Sequence, residues 1–307
     1  MKYILGVDTS NYTTSLALCG EDGRIYANCK QLLPVKQGEK GLRQSDALFA
    51  HTVNLPLVSK MLGNAEISAI GYSAYPRDTE GSYMPCFLCG KAYAESLSSL
   101  LNIPCAAFSH QRGHIRAALY SAEAQELIGT EYLAFHLSGG TTEILRVNKG
   151  EISIVGMTKD LTAGQAIDRV GVMLGLGFPC GKALEELAGK GNAPKKCRVC
   201  VNGFECNLSG LENMARRMYD NNASKEDIAA FTIEFVLQTL DKMTENLLTV
   251  YPGLPLVYSG GVMSNKKIRA YFEDKYGAYF AQPEFSSDNA AGAALLAYDK
   301  FKDELFR

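Results

Sequence analysis

The sequence lacks the features that mark membrane-spanning, secreted and strongly basic proteins. No uninterrupted apolar run approaches the roughly 18–20 residues that a membrane-spanning helix needs, and the opening residues MKYILGVD contain neither a long apolar segment nor a cleavage site. The formal net charge is −2, with no charged block at either end. Any contact with nucleic acid therefore has to use a local basic patch or a partner protein. We expect a cytoplasmic protein with no membrane contact.

Histidine is scarce, whereas cysteine is not. The 307 residues include four histidines and nine cysteines. Without a secretory signal, nine cysteines indicate reduced thiols or metal ligands rather than disulfides. With 47% hydrophobic and 21% charged residues, a chain of this length can form two domains with separate cores.

Two of the histidines, His110 and His114, are four residues apart. The Ala- and Leu-rich residues that follow them predict a helix, and this spacing places both imidazoles on one helix face. Two neutral imidazoles on one face can bind a metal ion together and lack only a carboxylate to complete an open site. The alternative is that they hydrogen-bond the backbone at the start of a helix.

A pattern of three short strands joined by two turns occurs twice in the chain, and a Thr-Thr pair closes the first turn each time. The predicted strands are residues 3–7, 15–19 and 25–29, and residues 133–137, 143–147 and 151–155. Helical and strand patterns alternate between and after the two copies. Such a duplication predicts two α/β lobes with a cleft between them.

Two glycine-rich turns are candidates for binding an anion. One is Ser138-Gly139-Gly140-Thr141-Thr142, between two predicted strands, and the other is Tyr258-Ser259-Gly260-Gly261, between a strand and a helix. Glycines let backbone N–H groups approach a phosphate closely, and the start of a helix adds further donors. Each turn alone is also explained by a tight hairpin or a tight strand–helix junction. Together, in a duplicated α/β chain, they favour a nucleotide cleft.

A series of separately spaced motifs extends this pattern along the chain: HQRGH at residues 110–114, LSGG at 137–140, AGQAID at 163–168, GLGFPCG at 175–181, LSGL at 208–211 and SGGVMSN at 259–265. In this order they resemble the TsaD/Kae family of tRNA threonylcarbamoyladenosine synthases, long labelled O-sialoglycoprotein endopeptidases. The similarity runs from about residue 3 to residue 298. It implies the duplicated actin-like α/β fold of the actin/hexokinase/Hsp70 ATPases (the ASKHA fold), with two lobes and a central cleft. We expect lobes at residues 1–112 and 113–307, with the last helix able to pack back on the first lobe.

The resemblance also implies two sites. His110 and His114 match the family's metal ligands, and Asp288 matches its ligating aspartate, so that an Fe²⁺ or Zn²⁺ ion is expected. An adenine nucleotide, as ATP, AMP or an acyl-adenylate, is the second expected ligand. The residues matched to its binding are Leu137, Ser138, Gly139, Gly140, Thr141, Asp168, Gly181, Glu185, Gly260, Gly261 and Asn265.

The activity implied by the resemblance is threonylcarbamoyl transfer. In that family the exocyclic amine of a tRNA adenine attacks the carbamoyl carbon of threonylcarbamoyl-adenylate, and AMP leaves. Positioning and Lewis-acid stabilisation carry such a reaction, and no Ser or Cys nucleophile is needed. We expect tRNA and TsaB/TsaE-like protein subunits as partners. The old protease label is not supported, because the sequence has neither a nucleophile–base pair nor a His-Glu-x-x-His motif.

The sequence departs from the family pattern at four places where the acceptor, rather than the nucleotide, is expected. Residues 8–14 read DTSNYTT instead of ETSCDET, and Thr141 replaces a usual histidine. Glu212-Asn213 replaces Lys-Thr, and YPRDTEG at 75–81 replaces a glycine-rich loop. A second hypothesis therefore stays open, namely that the chain is a paralogue with the same cleft that acts on another acceptor.

The cysteines form a second candidate metal site, in segments expected to border the cleft. The candidate ligands are Cys86, Cys89, Cys180, Cys197, Cys200 and Cys206. Their C-x2-C pairs are typical of zinc or iron–sulfur ligation, and the alternative is that they are buried as small apolar residues. A basic strip beside them could meet tRNA phosphate or could be a solvated loop; it consists of Lys190, Lys195, Lys196 and Arg198.

Two hypotheses of other classes also stay open. One is a non-catalytic scaffold subunit like the family's inactive partners, but those partners lack the metal ligands that His110, His114 and Asp288 match. The other is an iron–sulfur ATPase that activates a dehydratase, which would explain the cysteines but not the histidine pair.

Overall fold

The computed structural model describes residues 1–34 and 42–306 and divides into two compact units. The first unit comprises Met1–Ala117 together with Asp288–Arg307, and the second comprises Ala118–Ser287. The lobe limits expected above, 1–112 and 113–307, remain a prediction. Within the described ranges, no helix is both long enough and apolar enough to cross a membrane.

The first unit is built around a five-stranded mixed sheet. Its elements are β1 (Lys2–Asp8), β2 (Thr13–Gly20), β3 (Ile25–Leu32), α1 (Gln44–Leu62), β4 (Glu66–Tyr75), α2 (Phe87–Leu101), β5 (Cys105–Ser109), the start of α3 (His110–Ser121), and α10 (Ala291–Leu305). The strand order is β3-β2-β1-β4-β5. β1, β2 and β3 are antiparallel neighbours, whereas β4 and β5 are added in parallel. The apolar runs of β1 and β4 are buried, as expected for parallel central strands that are covered on both faces.

Helix α10 lies unusually close to this sheet because two strand residues have no side chain. A Cβ atom on Gly6 would overlap the carbonyl oxygen of Ala290, and one on Gly71 would overlap that of Ala293. Glycine in a strand interior often marks such a close backbone approach. The packing fixes the start of α10, and with it the position of Asp288.

The second unit is built around a seven-stranded sheet. Its elements are β6 (Glu131–Leu137), β7 (Thr142–Asn148), β8 (Glu151–Thr158), α4 (Ala163–Met173), α5 (Gly181–Ala188), β9 (Cys200–Asn202), β10 (Glu205–Asn207), α6 (Gly210–Asp220), α7 (Lys225–Val250), β11 (Leu256–Ser259), α8 (Lys266–Tyr276), β12 (Tyr279–Phe280) and α9 (Pro283–Ser286). The strand order is β12-β11-β6-β7-β8-β10-β9. Ser224 caps the start of α7 by accepting a hydrogen bond from the amide of Asp227, as its sequence predicts.

The predicted duplication is confirmed by the order of the strands. The run β8-β7-β6-β11-β12 repeats the order β3-β2-β1-β4-β5, with the same alternation of antiparallel and parallel pairs. The second sheet differs by the short hairpin β9–β10, which the sequence patterns did not predict. The last helix, α10, ends at Leu305.

Candidate functional site

Helix α3 brings the two histidines together. Strand β5 ends at Ser109 and α3 begins at His110, so the predicted helix is present and both imidazoles lie on one face. The Nε2 atoms of His110 and His114 are 2.8 Å apart. The ring centroids are 4.3 Å apart and the ring planes are at 77°, so the two rings meet edge to face.

Asp288, from the other end of the chain, completes the group. Its Oδ1 lies 3.1 Å from Nε2 of His114 and 3.3 Å from Nε2 of His110. All three residues belong to the first unit, because the chain returns to that unit at Asp288. Three possible donor atoms therefore converge on one point.

Two glycines let α3, which carries both histidines, approach α10, which follows Asp288. Gly113 lies between the two histidines on α3, and Gly292 lies in the first turn of α10. A Cβ atom on Gly292 would overlap the carbonyl oxygen of Gly113. The contact between α3 and α10 thus depends on a missing side chain, and it sets how near Asp288 lies to the histidines.

Asp8 orients His110 and was not among the predicted site residues. Its Oδ2 lies 2.8 Å from Nδ1 of His110 and accepts a hydrogen bond of 2.6 Å from the hydroxyl of Ser73. Its Oδ1 accepts the amide of Ser10 at 2.8 Å. When His110 is neutral, a carboxylate that accepts Nδ1–H leaves the Nε2 lone pair directed at the other two donor atoms, as in the usual second-layer contact of a metal-binding histidine.

Asn11 holds the outer side of Asp288. Its Nδ2 donates a hydrogen bond of 3.4 Å to Oδ2 of Asp288, and its backbone has the positive φ of 48° that asparagine tolerates better than most residues. Asn11 belongs to the first turn, one of the places where the sequence departs from the family pattern. This departure from the family pattern therefore contacts Asp288 directly.

Burial and charge determine the ionisation of the group. Burial disfavours a charged His110, but the carboxylates of Asp8 and Asp288 outweigh it and raise the pKa of His110 to about 10. Burial and the nearby charge of His110 lower the pKa of His114. Burial opposes ionisation of Asp288, yet its hydrogen bonds with both histidines bring its pKa well below the usual range. The carboxylates are thus ionised and hold positive charge at the point of convergence.

These residues fit a divalent metal ion. Two imidazole nitrogens and one carboxylate oxygen are the donor set of open sites for non-haem Fe(II) and for Zn(II). The side chains are mostly buried, with 12% of His110, 9% of His114 and 23% of Asp288 exposed. Within residues 1–34 and 42–306, this is the one group of three or more His, Cys, Asp or Glu residues whose ligand atoms lie within 4.8 Å of one another.

The first glycine-rich turn lies in the second unit, between β6 and β7. The Ser138 hydroxyl accepts hydrogen bonds from the amides of Gly140 and Thr141, at 3.3 and 3.1 Å. Added Cβ atoms at Gly139 or Gly140 would meet no atom within 4 Å, so the space above these glycines is open. The turn thus has a fixed shape and an accessible backbone.

The second glycine-rich turn packs against the end of β6. Gly260 has φ 95° and ψ 158°, and a Cβ atom there would overlap the carbonyl group of Leu137. Gly261 is open, with no atom within 4 Å of an added Cβ. A four-residue 3-10 turn, Gly261–Ser264, follows, and α8 starts only at Lys266. The strand, Gly-Gly and helix order is present, with this short turn inserted.

Side chains predicted to contact the nucleotide also hold helix starts together. Asp168 Oδ1 accepts the amide of Cys180 at 2.7 Å, next to Gly181 at the start of α5. Glu185 accepts the amide of Lys266 at 2.7 Å, and Asn265 caps α8 by accepting the amide of Ile268 at 3.1 Å. Burial raises the pKa of Asp168. The starts of α5 and α8, together with the two turns, are linked by direct contacts within this unit.

Within residues 1–34 and 42–306, no cysteine belongs to a group of three or more possible metal ligands. Cys86 and Cys89 belong to the first unit, whereas the other four candidates belong to the second. All nine cysteines are free, and the described group of possible metal ligands contains none of them. Burial raises the pKa of Cys86 to about 11 and that of Cys206 to about 12, so these thiols stay neutral. The thiolate site remains a prediction that no geometry favours.

The chain resembles known proteins in sequence and in fold. Residues 39–295 match the family model described as TsaD, tRNA N6-adenosine threonylcarbamoyltransferase. A relative of that name from Kosmotoga olearia is 30% identical over 99% of this chain and 94% of its own length. Among solved structures, HypF from T. kodakarensis has a TM-score of 0.63 at 15% identity, covering 98% of this chain and 48% of that one. The activator of 2-hydroxyisocaproyl-CoA dehydratase from Clostridium difficile has a TM-score of 0.56 at 14% identity, covering 98% and 96%. These structures bear on the fold alone, and the predicted actin-like α/β fold is confirmed.

Proposed function

We propose a function for a chain that belongs to the TsaD family of tRNA N6-adenosine threonylcarbamoyltransferases: it transfers a threonylcarbamoyl group from its adenylate to an adenosine of tRNA, with a divalent metal ion as cofactor. The observation that carries this proposal is the convergence of His110, His114 and Asp288, whose donor atoms lie 2.8–3.3 Å apart. A non-catalytic scaffold subunit would not require three metal-binding side chains at one point.

His110, His114 and Asp288 would hold the metal, with Asp8 and Asn11 as the residues that orient them. A bound Fe²⁺ or Zn²⁺ ion supplies a Lewis acid that polarises an oxygen of the acyl donor. Asp8 keeps the Nε2 lone pair of His110 available, and Asn11 restrains the carboxylate of Asp288 from its outer side. Burial of the three ligands keeps water from competing for their lone pairs.

The turns at residues 138–141 and 260–261 would bind the adenine nucleotide. Open backbone above Gly139, Gly140 and Gly261 admits a phosphate close to the amide groups. Asp168 uses one carboxylate oxygen for the Cys180 amide, and the other can accept a ribose hydroxyl. Leu137, Thr141, Gly181, Glu185 and Asn265 complete the set proposed for this ligand.

The proposed reaction is an acyl-type substitution. The exocyclic nitrogen of adenine forms a bond to the carbamoyl carbon, the bond from that carbon to the phosphate oxygen breaks, and AMP leaves with the electron pair. The attacking amine loses a proton, and the product carries a urea linkage between the adenine and the threonine nitrogen. Holding donor and acceptor in place provides much of the rate, and a covalent enzyme intermediate is not needed.

A second candidate is transfer to a different acceptor from the same metal and nucleotide sites. Two observations favour it. Asn11 contacts Asp288 where the family has a cysteine, and the neighbouring Tyr12, in place of an acid, is 43% exposed. Glu212, in place of a lysine, forms an ion pair of 3.2 Å with Arg169.

Nucleoside analysis distinguishes the two candidates. The gene is expressed in a strain depleted of its own synthase, and the tRNA nucleosides are measured by mass spectrometry. We expect threonylcarbamoyladenosine to return with the unmodified chain and not with Asp288→Ala. If the unmodified chain, shown to be folded and metal-loaded, does not restore it, transfer to tRNA is ruled out and the second candidate stands.

Metal analysis of protein purified without oxygen tests the cofactor. About one Fe or Zn per chain is expected for an open site of this kind. The same content in a Cys197→Ser/Cys200→Ser variant would exclude a cysteine-bound zinc or iron–sulfur cluster. A loss of metal in that variant, with metal retained in Asp288→Ala, would instead favour the cysteines.

A TsaB-like subunit is the protein partner we propose. Helix α1 presents apolar residues at every fourth position, with Phe49 71%, Val53 51%, Leu57 50% and Met61 58% exposed. Such a ridge is typical of a helix–helix interface. Phe49→Asp should abolish a complex that size-exclusion chromatography detects. The nine free thiols suit the reducing cytoplasm, where we place the reaction.

A further inference from the structure

An open cleft of about 590 Å³ lies in the second unit and includes Arg198 of the basic strip described above. Its walls come from the β9–β10 hairpin region and from α6, and they include Arg198, Cys200, Asn213 and Arg217. Asn213 and Arg217 are one helical turn apart and therefore share a face of α6. Arg198 lines the same cleft from the segment that leads into β9. The cleft thus has cationic side chains from two separate elements.

The two arginines are not used by the fold. Within residues 1–34 and 42–306, the side chains of Arg198 and Arg217 make no ion pair or hydrogen bond, and both are exposed. Other arginines of the chain do have carboxylate partners, as Arg146 has with Glu131 and Arg169 with Glu212. Two guanidinium groups without a partner in one cleft present a site for an oxyanion such as phosphate, which the planar guanidinium can bind through two parallel hydrogen bonds.

The carboxylates near the cleft are already engaged. No acidic residue is among the described residues that line it. Glu212, on α6, pairs with Arg169, and Asp160 accepts hydrogen bonds from the amide of Leu208 and from the hydroxyl of Ser209. Lys195 and Lys196 are exposed a few residues before Arg198 and add further positive charge. The local potential is therefore positive although the whole chain carries −2.

Apolar side chains also line the cleft, namely Val199, Met214 and Phe235. Cationic and apolar side chains in one cleft match a nucleic-acid strand, which carries phosphates together with flat bases and sugars. A compact anion such as free phosphate would use only the arginines.

We propose that this cleft, lined by Arg198, Asn213, Met214 and Arg217, binds the phosphodiester backbone of an RNA strand. The inference rests on the proposed function, since a tRNA substrate has to be held by more than its reacting base. Arg198 and Arg217 contact phosphates, and the apolar residues that line the cleft pack against a nucleoside. The cleft supplies affinity and register, and the chemistry takes place elsewhere.

Binding measurements test this assignment directly. Fluorescence anisotropy of a labelled tRNA is measured with the unmodified chain and with Arg198→Ala, Arg217→Ala and the double variant, at several salt concentrations. Each single change should weaken binding about tenfold at low salt, and the slope of log affinity against log salt should fall by about 0.7–0.9 for each arginine removed. Arg216→Ala is the matched control, because it lies on the same helix but does not line the cleft.

Cys200 offers a second measurement that needs no substitution. It lines the cleft and is exposed, whereas the other eight cysteines are buried or intermediate. We expect bound tRNA to slow alkylation of Cys200, measured by peptide mass spectrometry, at least severalfold, with Cys29 as the internal reference. Polyglutamate of similar length should not protect it.

The outcomes separate this inference from the proposed function. Arginine variants that bind tRNA like Arg216→Ala, or unprotected Cys200, overturn the cleft assignment even if the unmodified chain restores the modified adenosine. Equal protection by polyglutamate overturns the assignment to RNA. A third outcome is that the arginine variants lose tRNA binding while the unmodified chain forms no modified adenosine in cells. That outcome supports the assignment of the cleft and rejects threonylcarbamoyl transfer.

Discussion

One candidate site of this molecule is formed by side-chain atoms, and the other is formed mainly by backbone atoms. In the first unit, His110, His114 and Asp288 bring side-chain atoms to one point, and Asp8 orients them from behind. In the second unit, the turns at 138–141 and 260–261 expose backbone, and their side chains mostly stabilise the turns themselves. Removing side-chain atoms should abolish binding at the first site, whereas adding a side chain should block the exposed backbone of the second. Substitutions of opposite kinds therefore test this comparison.

The largest effect is expected from removing a ligand. His114→Ala should reduce bound metal from about one ion to under about a tenth per chain, since loss of a ligand exceeds the 10–100-fold cost of losing a supporting residue. Elemental analysis after reconstitution measures it. His136→Ala removes a histidine that contacts Ser259 in the second unit and serves as the control. Equal loss in both variants would mean that the metal is not held by α3.

The next effect comes from adding one methyl group to the second unit. Gly260→Ala should lower the free energy of unfolding by about 3 kcal/mol or more, because the backbone conformation there is essentially restricted to glycine and the methyl group would overlap Leu137. Gly261→Ala should cost less than about 1 kcal/mol, since the space around it is open. The chain has no tryptophan, so urea unfolding is followed by circular dichroism. Similar costs for both variants would contradict the observed turn.

A smaller effect should follow from changing the residue behind the ligands. Asp8→Asn keeps the size of the side chain but removes the charge that orients His110, and metal affinity should fall about 10–100-fold. Competition with a chelating dye measures the affinity. Ser73→Ala, which removes one hydrogen bond to Asp8, should have a weaker effect in the same direction. An unchanged affinity in Asp8→Asn would show that the histidine is held without it.

The smallest effect is expected at the open turn. Gly139→Ala should leave the melting temperature unchanged, because no atom lies within 4 Å of the added methyl group. It should weaken nucleotide binding by up to about tenfold, since the methyl group lies where a phosphate would approach the amides. Calorimetry with a non-hydrolysable ATP analogue measures this. Full affinity in the variant would place the phosphate away from this turn.

The sequence predicted the parts of the fold and site that depend on local patterns. The repeated strand pattern gave the duplicated topology, and the spacing of His110 and His114 gave the helix that carries them. Asp288 was predicted only from the family resemblance, because nothing in the sequence around it relates it to His110 and His114. Asp8 was missed because a carboxylate at the end of a strand has the appearance of an ordinary turn residue.

Features that depend on contacts between residues far apart in the chain could not be predicted from the sequence. The crossing of α3 and α10 at Gly113 and Gly292 requires knowing that the two helices meet. Strands β9 and β10 have three residues each, too few for a periodic pattern. The cysteine motifs suggested a shared site, but a C-x2-C spacing does not say which partners complete it, and burial explains most of these thiols.

The return of the chain to its first unit at Asp288 has a consequence for biosynthesis. On a ribosome, both histidines emerge before the whole of Ala118–Ser287, which takes roughly ten to thirty seconds to translate at about 5–20 residues per second. During that interval the growing polypeptide has His110 and His114 but not Asp288, and an uncovered sheet face where α10 will pack. The metal ion proposed above would gain its third ligand only after the second unit has been synthesised, so ribosome-bound intermediates should retain less metal than the finished chain.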